Sequence, residues 1–194
     1  MNDRVFSHTQ AHKLEDPERL TWLPPAQVIA SLALCDDMRV ADIGAGTGYF
    51  ALPMAKSVGA SGHIYAVDLQ SEMLSILEEK VRRSGAQNIS LHQGDATRVP
   101  LPNACCDVAL LANIWHELPN HETAIQEALR LLSPGGHVAI LDWRAELAPP
   151  PGPPQDHRIS AQSVREFLEQ HGCSVAANRQ IGKYSHLVIA SAAR

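Results

Sequence analysis

The sequence predicts a doubly wound α/β domain, and three observations carry that expectation. Apolar runs suited to buried strands alternate with amphipathic helical runs along the chain. The stretch Met38 to Asp68 reads as strand, glycine turn, helix, strand and terminal acid. The 194 residues show neither an internal repeat nor a domain linker, so one domain, residues 1–194, with a sizeable core is expected.

The elements follow in order. Residues 1–23 are polar and form an N-terminal arm ahead of an α/β core at 24–194. Pro24 and Pro25 suit a helix start, and Val28, Ile29 and Leu32 make one apolar stripe. Val40, Ala41 and Ile43 suit a buried strand. Gly44, Gly46 and Gly48 suit a tight turn, and Tyr49 to Ser57 a helix. Ile64 to Val67 form the second strand. Ser71 is the expected N-cap of a helix over 71–84, which Gly85 stops.

Asn88 to His92 and Val108 to Ala112 are expected strands, the latter buried on both faces. Asn120 to Leu132 should be helical, with Ser133 to Gly136 turning into a fifth strand, His137 to Leu141. Five prolines at 148–154 exclude helix and central strand there, and predict a stiff extended connection. Ser160 to His171 should be a helix, with Cys173 to Asn178 and His186 to Ala190 as the last strands.

Composition narrows the function. A net charge of −5 does not favour a nucleic-acid partner, and the basic run Lys80, Arg82 and Arg83 reads as a solvated helix face. No segment suits a membrane span or a signal core, and the cysteines form no C-x-x-C pair. A soluble cytoplasmic protein with reduced thiols is expected. His8 and His12 have helical ligand spacing but no obvious third ligand, so no metal is expected.

The glycine turn limits the ligand. Its spacing is G-x-G-x-G, not the G-x-G-x-x-G of dinucleotide folds, and no Gly-Lys-Ser/Thr follows. An acid about twenty residues beyond such a turn can accept from both ribose hydroxyls.

Here the chain resembles the class I S-adenosylmethionine-dependent methyltransferases. Asp42-Ile43-Gly44-Ala45-Gly46-Thr47-Gly48 is similar to their first motif, Val67-Asp68 to the ribose-binding acid, and Gly94-Asp95-Ala96 to the adenine-edge motif. Asp107 to Leu118 resembles the fourth motif, and Leu132 to Gly136 the turn before strand 5. The resemblance implies a seven-stranded sheet of order 3-2-1-4-5-7-6 with strand 7 antiparallel, and S-adenosylmethionine as cofactor.

By the same resemblance, Asp68 with Leu69 holds the ribose, and Asp95 with Ala96 the adenine. Gly44, Gly46 and Gly48 floor the amino-acid end, Asp42 meets its amino group, and Asn113 faces the methionine portion. Asn/Asp-Pro-Pro-Tyr/Phe is absent from the fourth motif, which disfavours base methylation. Ala112 to His116 is closer to the small-molecule branch with quinone- and arsenite-acting members.

A small-molecule acceptor is therefore expected, on a monomer or homodimer. His116 is the candidate base, since imidazole titrates near neutrality; a pocket-lining histidine is the alternative. Glu117 is expected to support the following helix. Trp22, Trp143, His157 and Arg158 are the candidate substrate-facing residues. Trp22 would anchor the arm as a lid, and Trp143 would stack on the acceptor or touch that lid. His157 and Arg158 would suit an anionic acceptor group, with a mobile surface loop as the alternative. A non-catalytic cofactor-binding protein and a nicotinamide oxidoreductase are the competing readings.

Overall fold

A computed structural model describes residues 5–147 and 151–192. Seven strands form one sheet: β1 (Arg39–Ile43), β2 (His63–Asp68), β3 (Ile89–Gln93), β4 (Cys106–Ala112), β5 (Leu132–Trp143), β6 (Cys173–Ile181) and β7 (Ser185–Ala192). Their order is β3-β2-β1-β4-β5-β7-β6. The first five pair in parallel, and β7 runs antiparallel to both β5 and β6.

Strand alternation divides the core between the two faces. Val40, Ile64, Val108, Leu110 and Leu141 pack with Val28 of α2 (Pro25–Ser31), Met54 of α3 (Ala51–Ser57) and Leu77 of α4 (Ser71–Ser84). Ala41, Ile43, Leu111 and Ile140 pack with Ile125 of α5 (His121–Leu131) and Leu168 of α6 (Ala161–Gln170). Every one of these side chains is essentially fully buried. At about 25 cal/mol per Å², each of these Val, Leu, Ile and Met side chains contributes roughly 1.5–3 kcal/mol.

Several boundaries differ from the sequence expectation. Gln70, not Ser71, precedes α4, and its side chain caps nothing in that helix. Instead it bonds the N-terminal arm. The expected turn at Ser133 to Gly136 belongs to a longer β5. Leu132 pairs with Cys106, and a register shift absorbs the mismatch. Asn120 and Ser160 do cap α5 and α6, accepting from Thr123 N and Ser163 N.

The arm is ordered across its described part. A 3-10 helix spans His8–Glu15, and a single turn, α1 (Arg19–Trp22), follows. Residues 1–4 of the arm and 148–150 of the proline-rich connection lie outside the described residues. Beyond the proline-rich segment, Gln155–His157 forms a 3-10 turn. Among the described residues, no helix is long and apolar enough to cross a membrane.

Candidate functional site

Strand order reverses between β1 and β4, and there the carboxyl ends of the parallel strands open a crevice. The loop after β1 runs along it. Gly44 N and Ala45 N both donate to Val67 O, at 2.8 and 2.9 Å, which binds the loop to the end of β2. Gly44 and Gly48 have φ of +77° and +85°. A Cβ at Gly44 would come within 2.5 Å of Ile114, and one at Gly48 would overlap Leu77. Both positions therefore exclude side chains.

Three sequence-predicted groups meet at this loop. Asp68 accepts from Gly46 N at 2.8 Å and from Gln70 N at 2.9 Å, so it organises the loop as well as facing the crevice. Asp42, at the end of β1, is 1% exposed, and neither carboxylate oxygen has a hydrogen-bond partner. Burial, with the charge of Asp68 nearby, pushes its carboxyl up to about 7; the Ala51 amide opposes weakly, outside bonding geometry. Asn113 follows β4 at φ +57°, and its N–H donates to Leu141 O at 2.7 Å. Its side-chain amide is buried with no partner.

The adenine-edge residues lie farther out. Asp95 is exposed, and its Oδ1 accepts from Thr97 N and Thr97 Oγ1 at 2.7 Å each. Ala96 packs on the core edge. Leu69 is an exposed large apolar side chain at the end of β2.

The turn after β4 continues into a 3-10 helix, Trp115–Glu117, that delivers His116 to Asp142 at the end of β5. His116 Nδ1 lies 2.8 Å from Asp142 Oδ1, and His116 N donates to Asp142 Oδ2 at 2.9 Å. Trp143 N also donates to Oδ1, at 2.7 Å. Burial pulls the imidazole down, but the bond to Asp142 and the charges of Asp142 and Glu117 outweigh it. The pKa of His116 ends above its ordinary value.

Asn120, rather than Glu117, caps the following helix. Glu117 Oε2 accepts from Phe6 N of the arm at 3.1 Å, and its Oε1 is 3.7 Å from His116 Nε2. Burial pushes its carboxyl up to about 7, against the opposing pull of His116 and the Phe6 amide.

The arm crosses the crevice and is fastened at several points. His8 N donates to Gln70 Oε1, and Gln70 Nε2 donates to Phe6 O. Glu15 accepts from Thr47 Oγ1 and from Lys80 Nζ, while Lys80 also donates to Thr47 O. Leu14 lies over Gly46, 3.5 Å from where a Cβ would be. Sequence reasoning missed Glu15, Thr47, Gln70 and Lys80, since residues this far apart carry no local signal of their meeting. Lys80, expected on a solvated face, belongs to this fastening instead.

Two of the expected substrate-facing residues, Arg158 and Trp143, sit deeper than an open pocket wall. Arg158 is buried, and its donors face main-chain carbonyls rather than an open anion site. Its guanidinium donates to the carbonyls of Pro153, Arg144, Leu147 and Pro151, and it holds the loop after β5 together. Trp143 is 7% exposed, covered by Trp22 at 5.4 Å between centroids, by Arg158 at 5.4 Å and by Gly152. It is covered by the arm and by the loop after β5, and is not an open stacking platform. Trp22 anchors the arm on Trp143 and Tyr184, and His157 is half-buried in the turn after the prolines.

The methyltransferase-domain family matches residues 40–136, half of the chain. A demethylmenaquinone methyltransferase of Geobacillus kaustophilus is 31% identical over 145 residues, covering 72% of this chain and 61% of that protein. Its counterpart in Anoxybacillus flavithermus is 33% identical over 101 residues, 52% of this chain and 43% of that protein. The chain thus spans about half the length of these curated relatives. The crystal structure of a SAM-dependent methyltransferase from Aquifex aeolicus superposes with a TM-score of 0.90 at 33% identity, covering 96% of this chain and 98% of that one.

Proposed function

Because this chain belongs to the S-adenosylmethionine-dependent methyltransferases, we propose that it methylates a small-molecule acceptor at the crevice between β1, β4 and β5. The cofactor fits the residues present. The observation that carries this reading is that, of the buried groups without partners, two adjoin the glycine loop: the Asp42 carboxylate and the Asn113 amide. Leaving such groups unsatisfied costs about 1–3 kcal/mol each. A ligand with an ammonium group and hydrogen-bonding atoms offsets that cost.

The other roles follow from position. Asp68 binds the ribose with the lone pairs that Gly46 N and Gln70 N leave open. Asp95 takes the adenine amine through the oxygen not used by Thr97, and Leu69 with Ala96 flanks the ring. Gly44, Gly46 and Gly48 let the backbone pass under the amino-acid end. The arm excludes water over the bound groups.

Bound S-adenosylmethionine supplies a methyl group on a positively charged sulfur, already activated for displacement. The chain's contribution is to align the acceptor and accept its proton. His116 is the base, with Asp142 holding the ring by Nδ1 so that Nε2 carries the lone pair. Two relatives are named for demethylmenaquinone, so a quinol is the first acceptor to assay. The same reading treats the chain as one domain, cytoplasmic, monomeric or homodimeric, without a nucleic-acid partner. All four cysteines are free thiols, in keeping with a reducing compartment.

Calorimetry with S-adenosylmethionine, together with labelled methyl transfer to a panel of small acceptors that includes a quinol, tests the reading. Asp68→Ala should bind the cofactor at least about tenfold more weakly. His116→Ala should keep that affinity and lose turnover. Equal binding by wild type and Asp68→Ala would remove Asp68 from its role. Unchanged turnover in His116→Ala would end the base assignment.

A further inference from the structure

Arg19 is a buried cation whose donors are mostly unused. It is 7% exposed, and its side chain makes one hydrogen bond, Nη1 to Leu14 O at 3.2 Å. Among the described residues no carboxylate lies within ion-pair distance of it. Arg158 is also buried without a carboxylate, but four carbonyls take its donors. Glu15, the nearest acid by charge, is taken by Lys80 and Thr47. Burial draws the Arg19 guanidinium down to about 10, opposed by Tyr49 and Glu15.

Its anchorage places it at the glycine loop. The guanidinium lies 4.0 Å from the centroid of the Tyr49 ring, and Tyr49 directly follows Gly48. Its one acceptor, Leu14, is the residue lying over Gly46. Tyr49 packs against the same core face to which strand alternation assigns Asp42, two residues beyond Val40. One side of the loop thus carries a buried, unpartnered acid and a buried cation with open donors. An α-amino-acid group, ammonium and carboxylate on one carbon, complements that pair. A planar guanidinium suits a carboxylate because it can donate two parallel hydrogen bonds.

We propose that Arg19 receives the α-carboxylate of the cofactor's amino-acid end, and that this contact holds the arm closed over the site. The assignment rests on the reading of the crevice as the S-adenosylmethionine site. Arg19 and Leu14 belong to the arm, so carboxylate recognition and arm closure become one event. Nucleosides that lack the carboxylate enter the crevice without securing the arm.

Calorimetry with S-adenosylmethionine and decarboxylated S-adenosylmethionine, which differ in that group alone, isolates the contact. Wild type should prefer the carboxylate by about tenfold or more. Arg19→Gln should bind both compounds alike, with its affinity for the decarboxylated one unchanged. Arg19→Lys, which keeps the charge but not the fork, should recover part of the preference. It also carries the test should Arg19→Gln fail to fold. Hydrogen exchange at 6–16 should slow with S-adenosylmethionine in wild type, and not in Arg19→Gln. An undiminished preference in both variants overturns the role of Arg19 alone. Failure of folded wild type to bind either compound overturns the cofactor reading and this assignment with it.

Discussion

Asp142 grips His116 twice, at the ring through Nδ1 at 2.8 Å and at the main chain through its N–H at 2.9 Å. The ring's tautomer and its backbone position therefore depend on one carboxylate, which is fully buried and also accepts from Trp143 N. This doubles the constraint on the imidazole and makes Asp142 a positioning residue in the proposed chemistry.

Asp142→Asn should expose that dependence. One oxygen becomes an amide that cannot accept, leaving His116 N or Trp143 N opposed by another donor. The loss should be about 1–3 kcal/mol of stability. Turnover should fall roughly ten- to a hundredfold with cofactor affinity nearly unchanged. Wild-type turnover should rise with pH as His116 deprotonates, above its ordinary value. The variant's inflection should move to lower pH, since the carboxylate that favours the imidazolium is gone. The stability contribution follows the same sign. A raised histidine pKa stabilises fully below the unfolded value and is lost as pH rises through the folded one. An inflection that stays in place would remove Asp142 from control of the ring.

Asp42→Asn should separate stability from binding. The carboxyl is pushed up to about 7 from 3.8 by burial and the nearby Asp68. A folded pKa above the unfolded one means the native state binds more protons between those values. Wild-type stability then declines as pH rises from about 4 to 7. Above that range the variant should be the more stable protein, with about 4 kcal/mol as the upper bound on the gain. Cofactor affinity should fall at least about tenfold, as an amide replaces the partner of the ammonium. Melting curves at about pH 5 and about pH 8, with calorimetry, check both halves.

Glu15→Gln should loosen the arm without touching the core. Lys80 and Thr47 both donate to this carboxylate, but the ion pair is partly open to solvent. Its loss should cost less than about 1 kcal/mol. Hydrogen exchange over 6–15 should quicken a fewfold while β1 and β4 keep their protection. Unchanged exchange would mean that the arm's other contacts hold it without Glu15.

Arg158→Ala should act on stability rather than on ligand binding. Four carbonyls lose their donor, at about 1 kcal/mol each at most, and Trp143 loses a cationic neighbour. The melting temperature should fall while affinity for S-adenosylmethionine stays within about twofold. A selective loss of that affinity, with the melting temperature unchanged, would overturn this structural role.

What the sequence by itself determined was whatever local pattern can carry. Glycines at 44, 46 and 48 announced a turn too tight for side chains, and Asp68 marked the end of the next strand. Alternating apolar runs announced a doubly wound sheet, because burying both faces of parallel strands demands them. The strand order came from family resemblance, since periodicity is blind to which strands become neighbours. Only the tertiary structure decided that Asp142 would reach His116 across 26 residues, and that Phe6 would find Glu117 across 111. The same holds for Arg158, whose donors turn inward to carbonyls, and for Lys80, which leaves its solvated face to fasten the arm. A side chain's type states what bonds it can make; only the folded chain states which partner is within 3 Å.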